Sequence, residues 1–88
     1  MDEYEKLRLL LDLAKSLGLA VRPGPSSDGA GGGSLVRLRG QEILFLDNRS
    51  SVTDRLAVTA QALSGRPELE EMYLSPEIRE LLEASGQG

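Results

Sequence analysis

The stretch Leu35–Asp47, LVRLRGQEILFLD, decides how the rest of this chain folds. Two β-prone runs flank Gly40-Gln41, and that pair suits a two-residue type II′ turn, in which glycine supplies the positive φ of the first central position. Counting outward from such a turn predicts Arg39 facing Glu42, Leu38 facing Ile43, Arg37 facing Leu44, Val36 facing Phe45 and Leu35 facing Leu46. Successive residues of a strand change face. Val36, Leu38, Ile43 and Phe45 therefore share a wholly apolar face with the only phenylalanine, and this is the expected core side of a sheet. The opposite face carries Leu35, Leu44 and Leu46 beside Arg37, Arg39 and Glu42, which is too apolar for a simple solvated surface.

Upstream of the hairpin, Asp2 is placed to cap a helix over about Glu3–Leu17, with Glu3 and Glu5 where acids favour the positive end of the macrodipole. Leu7, Leu10, Leu11, Ala14 and Leu17 form one stripe at helical spacing. Leu9 and Leu13 widen the apolar arc, as in a helix wedged between a sheet and another helix. Gly18 ends that helix, with Leu19 as the apolar contact of the cap. Leu19–Arg22 then reads as a short strand closed by Pro23. Residues 23–34 are rich in glycine, serine and proline and predict a flexible loop. Gly29-Ala30-Gly31-Gly32-Gly33 is not a phosphate cradle: such loops follow a strand and open a helix, whereas here a strand follows.

Downstream, Asp47-Asn48-Arg49-Ser50 predicts a turn. Ser51 predicts an N-cap with Asp54 at the third helical position, opening a helix over about Val52–Ser64 that packs through Val52, Leu56, Ala60 and Leu63. Gly65 and Pro67 stop it. A short helical turn over Pro67–Tyr73 sets Leu69, Met72 and Tyr73 against the core. Ser75-Pro76 starts a last helix over about Pro76–Ala84, packed through Ile78, Leu81 and Leu82. The whole chain, 1–88, is thus expected to be one small α+β domain of two layers. Helices cover one face of a small antiparallel sheet built on the hairpin, in the order helix, strand, hairpin, helix, turn, helix.

Composition narrows the chemistry. The 88 residues contain no cysteine and no histidine, which removes thiolate nucleophiles, disulfides, the commonest general acid/base and the commonest zinc ligand. At this length only about 60–65% of the unfolded surface is buried on folding, and stability should be about 4–9 kcal/mol. The acidic start, Met1-Asp2-Glu3-Tyr4-Glu5, does not resemble a basic signal segment, and no apolar run spans a bilayer. A soluble, cytoplasmic protein with no membrane association is expected. The net charge of −4 argues against nucleic acid as a partner. Charge is unevenly spread: residues 22–66 carry six arginines against four acids, and residues 67–88 one arginine against six glutamates. That acidic tail lacks calcium-loop spacing and reads as a solvated end.

At the helix after the hairpin, Arg55-Leu56-Ala57-Val58-Thr59-Ala60-Gln61-Ala62-Leu63-Ser64 resembles the zinc-binding helix of the ImmA/IrrE metallopeptidases, R-F-x-x-A-H-E-x-x-H. Arg55 matches and Leu56 replaces the phenylalanine. Ala60 and Ser64 stand where that family has its zinc-binding histidines, and Gln61 where it has its catalytic glutamate. What the resemblance implies is a zincin-like core without metal or peptidase chemistry, whose old cleft would bind a peptide; no catalytic residue carries across.

What remains for catalysis is weak. Asp47 and Asp54 are the pair that would serve a carboxylate-dependent magnesium enzyme, but one suits a turn and the other a helix start. Ser50, Ser51 and Thr53 have no evident base to activate them. No catalytic, metal or cofactor residue is therefore assigned, and no small-molecule ligand is evident. The leading expectation is a non-catalytic protein–protein interaction module. Its candidate surface is Leu35, Arg37, Arg39, Leu44 and Leu46, and its partner is another protein or a second copy in a homodimer. The alternative is that one of the helices covers that face within the monomer.

Overall fold

The computed structural model describes residues 1–25 and 31–86. Three strands, β1 (Ala20–Pro23), β2 (Gly33–Leu38) and β3 (Gln41–Leu46), form a sheet in the order β1-β3-β2. β3 is central, antiparallel to β2 and parallel to β1. The helices are α1 (Glu3–Ser16), α2 (Val52–Leu63) and α3 (Pro76–Ser85), with a 3-10 turn at Pro67–Glu71. This is the expected α+β order and layering; the sheet is mixed because β1 joins it parallel to β3.

Local chemistry accounts for the helix ends. The Glu5 amide donates to Asp2 Oδ1 at 2.8 Å, capping α1. At its far end the Gly18 and Leu19 amides donate to the carbonyls of Lys15 and Ala14, and Leu19 is buried as the apolar half of the cap. The Asp54 amide donates to Ser51 Oγ at 3.1 Å, capping α2. Ser75 stands at the N-cap position of α3, but its hydroxyl makes no capping bond. Pro76 opens that helix through its pre-set φ.

Leu7, Leu10, Leu13 and Ala14 of α1 meet Leu56, Ala60 and Leu63 of α2 in one core with Leu44 and Leu46 of β3. Ile78 and Leu82 of α3 join it, as does Leu69 of the 3-10 turn. Leu9, Leu11 and Leu17 pack around its rim, so the wide apolar arc of α1 is consumed by burial. Tyr73 does not reach the core and is 91% exposed.

Two features of the hairpin differ from expectation. The turn lies at Arg39-Gly40, where both residues have positive φ (53° and 79°), the signature of a type I′ turn. Its register pairs Leu38 with Gln41, Arg37 with Glu42, Val36 with Ile43 and Leu35 with Leu44. The shift of two residues keeps every side chain on its expected face. It also brings Arg37 to 3.7 Å from Glu42 as a cross-strand ion pair. The second difference is larger: the helices cover the Leu35/Leu44/Leu46 face, and the Val36/Leu38/Ile43/Phe45 face is the outer one.

The third strand supplies the reason for that inversion. Parallel pairing sets Val21 beside Leu44 and Arg22 beside Phe45. Val21 thus joins the Leu44 face, and Arg22 joins the Phe45 face, where it is exposed.

β1 ends and β2 begins beside the same residue of β3, Leu46, on its opposite edges. The Gly24 amide donates to the Leu46 carbonyl at 3.0 Å, and the Asp47 amide to the Gly32 carbonyl at 2.8 Å. Gly32 and Gly33 are buried, so the end of the expected flexible loop is packed structure, and Gly33 already belongs to β2. Residues 26–30 of that loop lie outside the described residues.

Candidate interaction face

The five residues singled out from the sequence do not form one surface. Leu44 is completely buried and Leu46 nearly so, both under α1 and α2. The reading of these two as exposed is corrected by the face assignment set by β1. Leu35, Arg37 and Arg39 are exposed, because β2 is an edge strand and the helices leave its outer margin open. What sequence reasoning missed lies on the other face. Leu38 is 58% exposed and Val36 40%, Ile43 and Phe45 are half-buried, and Arg22 flanks Phe45.

The edge has a defined hydrogen-bonding phase. In a two-residue hairpin the turn-closing residues, Leu38 and Gln41, exchange backbone hydrogen bonds. Antiparallel ladders alternate, so Val36 also bonds toward β3 while Leu35 and Arg37 turn their N–H and C=O groups away from it. Those groups face solvent on the open side of β2. Side chains along the same edge are Leu35, Val36, Arg37, Leu38 and Arg39; residues 31–41 contain no acid. Arg37 is 72% exposed even while it touches Glu42, and Arg39 has no ion pair among the described residues.

Electrostatics elsewhere are spent on joining elements. Arg66 Nη1 and Nη2 donate to Glu42 Oε1 and Oε2, both at 2.8 Å, while its Nε donates to the Ala62 carbonyl at 2.9 Å. One guanidinium thus caps the end of α2 and clamps it to the start of β3. The hydrogen bonds from Arg66 hold the Glu42 carboxyl below its usual range, and the same bonds raise Arg66. The Thr53 hydroxyl donates to Glu3 Oε1 at 2.8 Å, tying the starts of α2 and α1.

The residues weighed for catalysis have structural work. Asp47 is buried and accepts from the Arg49 amide at 3.0 Å and from Arg49 Nε at 3.2 Å, holding the turn that leads to α2. Asp54 sits exposed in the first turn of α2. The Ser50 hydroxyl accepts from the Gly32 amide at 2.9 Å. Among the described residues no group of three or more acids gathers in a way that would hold a metal ion.

The three positions compared with the ImmA/IrrE zinc-binding residues have different surroundings. Ala60 is completely buried, and Gln61 is exposed. Ser64 lines a cleft of about 390 Å³ with Leu69, Arg79 and Leu82, and its hydroxyl donates to the Leu82 carbonyl at 2.9 Å. No described helix is long and apolar enough to cross a membrane. No protein-family model, curated protein or solved structure matches this chain.

Proposed function

We propose that this chain is a non-catalytic protein–protein interaction module of the cytoplasm that meets its partner through β2 and the outer face of the sheet. The observation that carries this reading is the run Leu35-Val36-Arg37-Leu38: an edge strand with outward-facing backbone groups, exposed apolar side chains on both faces and arginines at its end. Exposed edges of this kind are templates for strand addition. Arginine suits a rim that is partly desolvated on binding. The likeness to zinc peptidases adds no chemistry, since alanine, glutamine and serine at positions 60, 61 and 64 offer no histidine ligand and no carboxylate.

The test uses the paired substitution Val36→Glu/Leu38→Glu. Both positions are exposed, so the melting temperature should stay within a few degrees of wild type, about 1 kcal/mol or less. Proteins cross-linked to wild type in cell extract should be lost from this variant and retained by the distant control Gln61→Glu. An unchanged set of partners in the paired variant would refute the reading. Light scattering across protein concentration reports in the same samples whether the partner is a second copy.

A further inference from the structure

We infer that the occupant of the β2 edge is an extended acidic segment of another protein, added as a fourth strand with acids and apolar residues in alternation. This rests on the interaction-module reading and names the partner's chemistry. The phase of the ladder fixes where each side chain of an added strand falls. Its backbone would bond to Leu35 and Arg37, whose N–H and C=O groups face outward. Its residue opposite Val36 lies on the outer face, beside exposed Val36 and near Leu38. Its residues opposite Leu35 and Arg37 lie on the helix-side face, within reach of the Arg37 guanidinium. Arg37 gives only one edge to Glu42, at 3.7 Å, and Arg39 stands at the end of the strand without a described ion pair. An apolar residue on the outer face and a carboxylate on the other is therefore the matching period-two pattern.

Charge decides between this partner and a second copy. With no acid in residues 31–41, two β2 strands laid side by side would gather Arg37 and Arg39 from each copy, four cations along one seam. Edge cations are the ordinary device that stops strands from pairing with themselves. The same cations favour an acidic strand, and Coulomb attraction in a partly desolvated rim makes that preference salt-dependent.

The probe is a short blocked peptide of alternating glutamate and valine or threonine, titrated into the ¹⁵N-labelled protein and compared with its lysine-for-glutamate counterpart. The acidic peptide should move the amide resonances of Leu35 and Arg37 and slow their hydrogen exchange. It should bind at least ~10-fold tighter than the lysine peptide, and weaken several-fold when salt rises from tens to hundreds of millimolar. Leu35→Pro removes one outward N–H without touching the ladder to β3 and should reduce binding by ~10-fold. If Leu35→Pro fails to fold, Arg37→Gln/Arg39→Gln reads the same point, with a loss of the acid-over-lysine preference. Equal binding of both peptides, or no binding of either, overturns the inference. A dimer seen by light scattering and broken by Val36→Glu/Leu38→Glu would overturn the acidic occupant yet keep the interaction face. Partner capture that ignores the paired variant would remove the face itself.

Discussion

Two glycines of the hairpin region show how the same residue type meets different demands. Gly40 holds φ at 79° in the turn with open space around it, so a methyl group there meets no atom and incurs only the strain of the left-handed region. Gly33 has φ 151°, and a Cβ on it would run into the Phe45 carbonyl oxygen across the ladder. Gly40→Ala should therefore cost about 1 kcal/mol. Gly33→Ala should cost clearly more, at least ~2–3 kcal/mol, because the backbone of β3 has to move. Urea midpoints of the two variants check the order, and equal losses would mean that β2 does not lie so close to β3. A second pair of substitutions tests which face is the core. Leu44 is fully buried and Phe45 half-buried. Leu44→Ala should thus cost ~3–4 kcal/mol, a large share of the total, and Phe45→Ala about 1–2 kcal/mol despite the larger side chain removed. The reverse order by denaturant melts would restore the Phe45 face as the core.

At the scale of the elements, the strength of local signals explains what was legible. Helix ends follow from Asp2, Gly18, Ser51 and Pro76 acting on their own neighbours, and all three helices begin where these residues place them. The parity of the hairpin was legible too, because Val36, Leu38, Ile43 and Phe45 alternate with Leu35, Leu44 and Leu46 in either register. Which parity faces the helices was not, since both sets are apolar. The deciding signal was Val21 beside Arg22, and it acts only once β1 pairs with β3 across the sequence. The candidate surface inherited that ambiguity: Leu35, Arg37 and Arg39 are exposed because an edge opens both faces to solvent, while Leu44 and Leu46 on the central strand are buried. Caps offer a test of sequence signal against geometry. Ser51 and Ser75 precede helices in the same way, but only Ser51 Oγ accepts a capping amide, and Ser75 Oγ is buried without a partner among the described residues. Ser51→Ala should cost about 1 kcal/mol and Ser75→Ala close to nothing or slightly stabilise. Thermal melts of the two single variants separate these outcomes, and equal losses would show that Ser75 caps α3 in solution.

For the whole molecule, the Glu42–Arg66 clamp joins the sheet layer to the helix layer, and acid should weaken it in a defined direction. Bonding to Arg66 holds the folded carboxyl below its ordinary value of 4.5, a value it regains in the unfolded chain. The unfolded state therefore takes up the proton first as pH falls, and the pair's contribution, complete above 4.5, decays as pH drops through the lowered folded value. Both side chains are about one-fifth exposed, so the pair is neither fully screened nor fully desolvated, and about 1–2 kcal/mol at neutral pH is the expected size. Glu42→Gln keeps the side-chain shape and one acceptor but cannot titrate. Its urea midpoint should lie below that of wild type at pH 7, and the gap should narrow as pH falls below 4.5. The difference between the two proteins reads the charge of residue 42, which is held chiefly by Arg66 and more loosely by Arg37. A gap that stays constant across the range would assign the stabilisation to the shape and hydrogen bonding of residue 42, leaving its charge without a part in holding the two layers together.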